Sequence, residues 1–235
     1  MSKEAIILAG GFGTRLGELT KNTPKPLVPI NGRPFLDILL NYLISLGFEK
    51  VVLSTGHLSD QIQARYHNQY RELAVKYAIE ESPLGTGGAI RHALTFTEDE
   101  NVFVMNGDSF LEFDKNAVET IHIQANADIT LVLREVEDAS RYGSILLNKS
   151  AKITDFKEKS NDHLAGLING GVYLINKKSY LNHTSEGSFS IEKDVFQAKA
   201  QELSFYSCTT AGFFIDIGVP ADYNKAQDAF KRFEY

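Results

Sequence analysis

Five short apolar runs constrain this chain most: AIILA from Ala5, VVLST from Val51, VKYAI from Val75, VFVMN from Val102 and ITLVLREV from Ile129. They are too short for helices and too continuous for strands with one wet face, so they read as strands covered on both sides. Between the first two, Leu36, Leu39, Leu40 and Leu43 recur at i, i+3, i+4 and i+7. Pro34 at the first position and Gly47 just past the end give that segment the proline-in, glycine-out signature of a helix. Ser59 is placed to cap a second helix running to about Tyr70, and a third starts near Gly87. Strand, helix, strand in this rhythm predicts an α/β domain with a mostly parallel, mixed central sheet flanked by helices. Ligands of such sheets bind outside the carboxyl ends of the strands. GGFGTR, ESPLGTGG and NGD each follow a strand, and therefore fall there.

From about Tyr142 the rhythm changes to short strands and turns: YGSILLN, KITDFKEK, LINGGVYLI, LSFYSC and FFIDIG. Helices are expected over Ile191–Gln201 and Pro220–Arg232. The expected organisation is one domain, residues 1–235, with halves 1–140 and 141–235. The second half reads as a lid-like region completing one site, with a separate small domain as the alternative.

Composition narrows the function. A net charge of −6 disfavours a general nucleic-acid binder, which presents a basic face. A small anionic ligand remains open, provided that local cations, backbone N–H groups or a metal ion overcome the average field. Cys208 is the only cysteine, which excludes an intramolecular disulfide and suits a reducing, cytoplasmic setting. No segment has the roughly 18 apolar residues of a membrane span.

The first glycine loop, LAGGFGTRL (Leu8 to Leu16), fails both familiar phosphate templates. A G-x-G-x-x-G started at Gly11 meets Leu16 where the third glycine belongs, and no glycine–lysine pair stands where a Walker A loop needs one. Glycines after a strand still let backbone amides approach phosphate oxygens. Arg15 adds a planar fork, and Lys25, fixed between Pro24 and Pro26, adds a compact charge. On residues alone a phosphate cradle and a glycine-rich turn with solvated cations are equally open. Asp108 and Asp216 both end apolar runs, where a carboxylate can hold Mg²⁺ or cap a turn. Glu158 and Lys159 are adjacent and would point to opposite faces of an extended strand. The six histidines show no metal-hydrolase spacing, and no serine sits in a G-x-S-x-G elbow.

Taken in order, LAGGFGTRL, TPKPLVPI, ESPLGTGGAI, NGD, FKEK, INGGVYLI and FIDIGVPADY resemble the sugar-1-phosphate nucleotidyltransferases. The resemblance spans Ile6 to Tyr223. It implies a Rossmann-like, GT-A-like fold and an enzyme that joins NTP and a sugar 1-phosphate into an NDP-sugar and pyrophosphate with Mg²⁺. Arg15, Lys25 and Lys159 take the catalytic positions, and Asp108 and Asp216 the metal positions. Leu8, Gly10, Gly11, Gly13, Thr14, Glu80, Pro83, Gly85 and Thr86 fall at nucleotide contacts. Asn106, Gly143, Glu158, Asn169 and Gly170 fall at sugar-phosphate contacts. The family often has a proline after the Glu-Lys pair; Ser160 stands here instead.

Guanine presents N1–H and N2–H₂ donors side by side, which one carboxylate accepts together. Glu80, or its neighbour Glu81, therefore points to GTP. Within the family the chain is most similar to short bacterial guanylyltransferases acting on a heptose 1-phosphate, with mannose-1-phosphate enzymes close by. A uridylyl- or cytidylyltransferase and a non-catalytic nucleotide-sugar-binding regulator are the alternatives. Neither a nucleic acid nor a membrane is an expected partner, and a homodimer is possible within the resemblance.

Overall fold

The computed structural model describes residues 1–157 and 163–232. Its strands are β1 (Glu4–Leu8), β2 (Pro29–Ile30), β3 (Arg33–Pro34), β4 (Lys50–Thr55), β5 (Gln69–Tyr70), β6 (Leu73–Ile79) and β7 (Asn101–Asn106), followed by β8 (Ser109–Leu111), β9 (Ile129–Val136), β10 (Ser144–Leu147), β11 (Ile153–Lys157), β12 (Gly166–Asn176), β13 (Phe205–Thr210) and β14 (Phe214–Asp216). The helices are α1 (Phe35–Ser45), α2 (Ser59–Tyr66), α3 (Gly85–Leu94), α4 (Lys115–Gln124), α5 (Lys177–His183) and α6 (Pro220–Ala229).

Eight strands form one sheet in the order β13-β9-β12-β7-β1-β4-β6-β5. β7, β1, β4 and β6 are parallel neighbours. β12 runs antiparallel between β7 and β9, and β13 closes that side parallel to β9. Two strands of the second half thus lie in the same sheet as the first.

The apolar runs explain why the sheet is covered twice, except at β6, where Ala74, Lys76 and Ile79 are exposed toward the edge of the sheet and the expected second cover is missing. Along β1, Ile6 faces one side with Val52 and Val104, while Ala5 and Ile7 face the other with Leu53 and Met105. Leu36, Leu39, Leu40 and Leu43 of α1 bury against the second side together with Phe230. Ile90, Ala93 and Leu94 of α3 cover the first, with Tyr180 of α5 and the π-helical turn Ile191–Gln197. Each fully buried aliphatic side chain contributes roughly 1.5–3 kcal/mol, so the two apolar layers fix the strand register and hold the loop ends at one edge. Among the described residues, no helix is long and apolar enough to cross a membrane.

Several boundaries move. Pro34 lies just outside α1, with ψ 140°, because it pairs with Pro29 in the β2–β3 hairpin. α2 stops at Tyr66 rather than Tyr70: His67 takes φ 51° and the chain turns into the β5–β6 hairpin, with the Tyr66 and Tyr70 rings 5.6 Å apart across the bend. α3 starts two residues earlier than expected, at Gly85. α4 and α5 carry caps that the pattern did not single out. Asp114 accepts from the amides of Asn116 and Ala117, and Asn176 from that of Ser179.

His122 on α4 is buried between Thr130 (2.9 Å from Nδ1) and Asn101 (3.2 Å from Nε2). Burial pushes its pKa down to about 4, against a small opposing effect of Asp128. The unfolded chain then binds the proton more readily, so this contribution is intact above the unfolded pKa of about 6.5 and is lost as pH falls toward 4. Between pH 7 and 4.5 the wild type is expected to lose on the order of 2–3 kcal/mol more than His122→Asn. Urea melts of both proteins at the two pH values measure the difference.

Candidate active site

The carboxyl ends of β1, β4, β6 and β7 release their loops at one edge of the sheet, around a cavity of about 550 Å³. Leu8, Gly10 and Gly11 line it from the first loop, Gly56 from the second, Glu80, Pro83, Gly85 and Thr86 from the third, and Asn106 and Asp108 from the fourth. Sequence-predicted nucleotide positions distributed over some 80 residues of chain are thereby brought to one concave surface.

In the first loop, Ala9 donates to the Ser54 carbonyl at 2.7 Å, anchoring the chain to β4. Beyond it, the amides of Gly10, Gly11, Phe12 and Gly13 have no hydrogen-bond acceptor among the described residues. Four consecutive free N–H groups after a strand make a concavity suited to phosphate oxygens. Gly13 stands at φ 66° before the 3₁₀ turn Thr14–Thr20, and a Cβ there would lie 2.9 Å from Thr20 Cγ2 and 3.1 Å from Lys25 Cβ. Its backbone is held by the Thr20 hydroxyl, which donates to the Gly13 carbonyl at 2.9 Å. Thr14 and Arg15 lie on this turn, where Arg15 is exposed.

The charged centre forms where three separate segments meet. Lys25, only 7% exposed, places Nζ 2.5 Å from Asp108 Oδ2. Asp108 follows Gly107, whose missing side chain allows the backbone to pass the Leu8 carbonyl: a Cβ would overlap that oxygen. β8 pairs with β14 so that Asp216 stands opposite Ser109, and Ile217 donates to the Asp108 carbonyl at 2.9 Å. The two acids are thus neighbours although 108 residues apart. A Cβ on Gly218 would lie 2.7 Å from Asp216 Oδ1, 3.2 Å from Lys25 Nζ and 3.3 Å from an Arg15 terminal nitrogen. Arg15, Lys25 and Asp216 therefore converge on one glycine.

Burial raises the pKa of Asp216, and the charge of Asp108 raises it further; the Gly218 amide, Lys25 and Arg15 offset part of this. Two neighbouring carboxylates suit a divalent cation. Mg²⁺ asks only one or two carboxylates of a protein and takes its other ligands from water and phosphate. Among the described residues there is no group of three or more acids, histidines or cysteines that could enclose a metal by itself. The pair therefore fits an ion delivered with a phosphate ligand better than a closed structural site.

In the third loop, Glu80 is held from both sides: Ser54 Oγ donates to Oε1 at 3.3 Å and the Leu84 amide to Oε2 at 3.0 Å. Glu81 also lines the cavity but is exposed. The α3 amino terminus is used differently from a phosphate-binding helix end. The Gly87 and Gly88 amides donate to the Phe189 carbonyl, and a Cβ on Gly87 would clash with the Phe189 ring. Thr86 accepts from the Ile191 amide and donates to Glu192. The glycines of PLGTGG thus admit a strap from the second half of the chain.

On that second side, β12 carries an irregularity between Asn169 and Val172. Asn169 spends its side chain on it, accepting from the Gly171 amide and donating to the Tyr173 hydroxyl. Gly170 faces Leu111 and the Val132 carbonyl, and Gly171 at φ 75° packs beside the Asn106 side chain. Gly143 turns at φ 76° next to Tyr142, whose ring meets Phe214 two residues before Asp216. Glu158 and Lys159 lie outside the described residues.

Sequence reasoning passed over Gly107, Gly171, Gly218, Phe12 and His57. Only Gly218 left a local signal: its amide donates to Asp216 Oδ1 at 2.6 Å, an Asx turn readable from an Asp–x–Gly spacing.

Comparison with known proteins identifies the family and the fold. A family model described as nucleotidyl transferase matches residues 4–232. The chain is 39% identical to D-glycero-alpha-D-manno-heptose 1-phosphate guanylyltransferase of Aneurinibacillus thermoaerophilus, over 98% of this chain and 99% of that one. It is 37% identical to the protein of the same name from Campylobacter jejuni, over 94% and 96%. The crystal structure of HddC from Yersinia pseudotuberculosis complexed with GMP-PN superposes with a TM-score of 0.84 at 35% identity, covering 97% of this chain and all of that one.

Gly218→Ala is expected to displace the Arg15–Lys25–Asp216 cluster and lower nucleotidyl transfer about 100-fold, the order of loss that an ångström-scale misplacement causes. Pyrophosphate release measured beside a thermal melt checks it: activity falls while the melting temperature holds within a few degrees.

Proposed function

The chain belongs to the nucleotidyl transferase family, and from that premise we propose that it transfers the guanylyl group of GTP to D-glycero-α-D-manno-heptose 1-phosphate, releasing pyrophosphate. The observation that carries this reading is the convergence of Arg15, Lys25 and Asp216 on Gly218, with Asp108 bonded to Lys25, beside a cavity edged by Glu80.

The reaction needs little proton chemistry. The attacking group is an oxygen of the sugar phosphate, largely ionised near neutrality; it bonds to the α-phosphorus of GTP as the bond to the oxygen bridging to the β-phosphorus breaks. What opposes reaction is the repulsion between two anions and the charge gathering on the leaving pyrophosphate. The free amides of Gly10 to Gly13 receive triphosphate oxygens without adding bulk. Arg15, exposed at the rim, holds the departing pyrophosphate, and Lys25 moves charge toward the phosphates from its buried position. Asp108 and Asp216 would hold Mg²⁺, which supplies Lewis-acid neutralisation of phosphate oxygens. Lys159, with Glu158, is assigned to the incoming sugar phosphate.

Glu80 supports guanine as the base. Its two bonds from Ser54 and Leu84 fix the carboxylate in place and leave lone pairs on both oxygens for the guanine N1–H and N2–H₂ donors. The sugar is supported by the two heptose 1-phosphate guanylyltransferases that this chain resembles along their length, and the guanine nucleotide by the GMP-PN complex of HddC.

A grid of GTP, ATP, UTP, CTP and dTTP against heptose 1-phosphate and mannose 1-phosphate, read by pyrophosphate release, tests the assignment. GTP with heptose 1-phosphate should give the highest kcat/KM; a preference for another pair overturns it. Glu80→Gln should lose GTP kcat/KM by about 10–100-fold, the value of one or two charge-assisted hydrogen bonds, with a smaller effect on UTP. Asp108→Ala should abolish turnover at millimolar Mg²⁺ while leaving the melting curve cooperative.

A further inference from the structure

We propose that Phe12 and His57 form an aromatic wall on which the purine of the bound triphosphate stacks, with its Watson–Crick edge toward Glu80. The inference rests on the nucleotide site described above and adds a base-recognition surface to it.

Neither ring has a place in the packed interior. Phe12 is 53% exposed and belongs to neither apolar layer of the sheet. His57 is exposed as well. They come from loops after different strands, β1 and β4, yet their ring centroids lie 5.2 Å apart with the planes tilted by 31°. Both line the cavity that Glu80 edges. A half-exposed phenylalanine supported by one imidazole leaves apolar area in water that a flat ligand would cover.

The backbone beneath the rings gives the wall its orientation. A Cβ on Gly10 would lie 2.7 Å from Glu80 Oε1 and 3.3 Å from the Gly56 amide nitrogen, so Gly10, Gly56 and Glu80 meet at one point. Phe12 follows Gly10 by two residues, and His57 follows Gly56 by one. The two loops that touch at Glu80 therefore each present an aromatic ring a step further on, and the rings touch each other. Leu58 sets this turn in the second loop with φ 58° and ψ 31°, a left-handed backbone uncommon for leucine and found where surrounding structure enforces it. A base with its polar edge on the carboxylate has its face within reach of both rings. Phosphate oxygens gain nothing from an uncharged benzyl ring, so the wall addresses the base rather than the triphosphate.

Stacking on an aromatic side chain is tolerant of base identity, but its strength grows with overlap area, and purines offer more than pyrimidines. Glu80 then separates guanine from adenine, while the wall separates purines from pyrimidines.

Calorimetric titration of wild type, Phe12→Ala, Phe12→Tyr and His57→Ala with GTP, ATP and inorganic tripolyphosphate, each with Mg²⁺, tests the proposal. Phe12→Ala should weaken GTP about tenfold and His57→Ala by a smaller factor, both with tripolyphosphate affinity unchanged. Phe12→Tyr should restore GTP binding. The KM for GTP in pyrophosphate release should rise in parallel. The proposal is overturned if Phe12→Ala binds GTP as wild type does, or if it loses tripolyphosphate equally, which would make the ring a support of the phosphate loop. If wild type instead prefers ATP, the guanine assignment fails on its own, and the same Phe12→Ala comparison is read with ATP. Thermal melts of each variant identify any that fails to fold; Phe12→Leu then replaces Phe12→Ala, keeping bulk without a planar face.

Discussion

An ammonium group with only 7% of its residue exposed, pressed against a carboxylate at 2.5 Å, is the contact around which this molecule is arranged. The ion pair offsets the burial of the Lys25 side chain, because desolvation of an unpaired charge costs several kcal/mol. Asp108 in turn stands next to Asp216, and that proximity together with burial raises the affinity of Asp216 for a proton. The centre is therefore a balanced set of two cations and two anions, with Arg15 at the rim. In the proposed reaction, a polyanion and a divalent ion entering together would give each of these groups a partner of opposite sign. An acidic protein can in this way receive acidic ligands: the net charge of −6 describes its surface average, whereas Lys25, Arg15 and four free amides describe its site.

Close approach is what the glycines provide. Gly107 lets the loop that carries Asp108 cross the Leu8 carbonyl, and Gly218 leaves the space into which Arg15, Lys25 and Asp216 point. Gly85, Gly87 and Gly88 admit the strap of residues 187–191, whose Phe189 carbonyl occupies amides that a phosphate would otherwise find at the start of α3. The loop after β6 and the strap are thus joined through Thr86, which lines the cavity and bonds to both Ile191 and Glu192. A substitution on the strap would reach the nucleotide loop through a backbone contact rather than through a ligand.

The apolar runs and the leucine spacing of α1 made the sheet and its edge legible, because burial on two faces leaves a pattern of period and length that survives in the sequence. The glycine loop, Lys25 between prolines, and acids at strand ends were legible as types for the same local reason. Asp114 and Asn176 as helix caps, and the early stop of α2 at Tyr66, were not. There a single left-handed residue, His67, and an aromatic contact across a turn outweighed a weak helical pattern. Gly170 and Asn169 were expected at sugar-phosphate contacts; in the fold Gly170 packs against Leu111, and Asn169 stitches the irregularity in β12.

The sequence by itself determined the strands and the loops at their carboxyl ends, since burial pattern and short-range propensity need no tertiary information. The class of chemistry came from the joint order of its motifs, which resembles a known family, because the residue types alone left a phosphate cradle and a glycine-rich turn equally open. Only the folded chain decided that Asp108 and Asp216 are neighbours, that Gly218 sits among three charged groups, and that Phe12 meets His57 beside Glu80. Those relations depend on strand order and on the pairing of β8 with β14. Such order is chosen by the packing of whole layers against each other, a property that no stretch of a few residues carries.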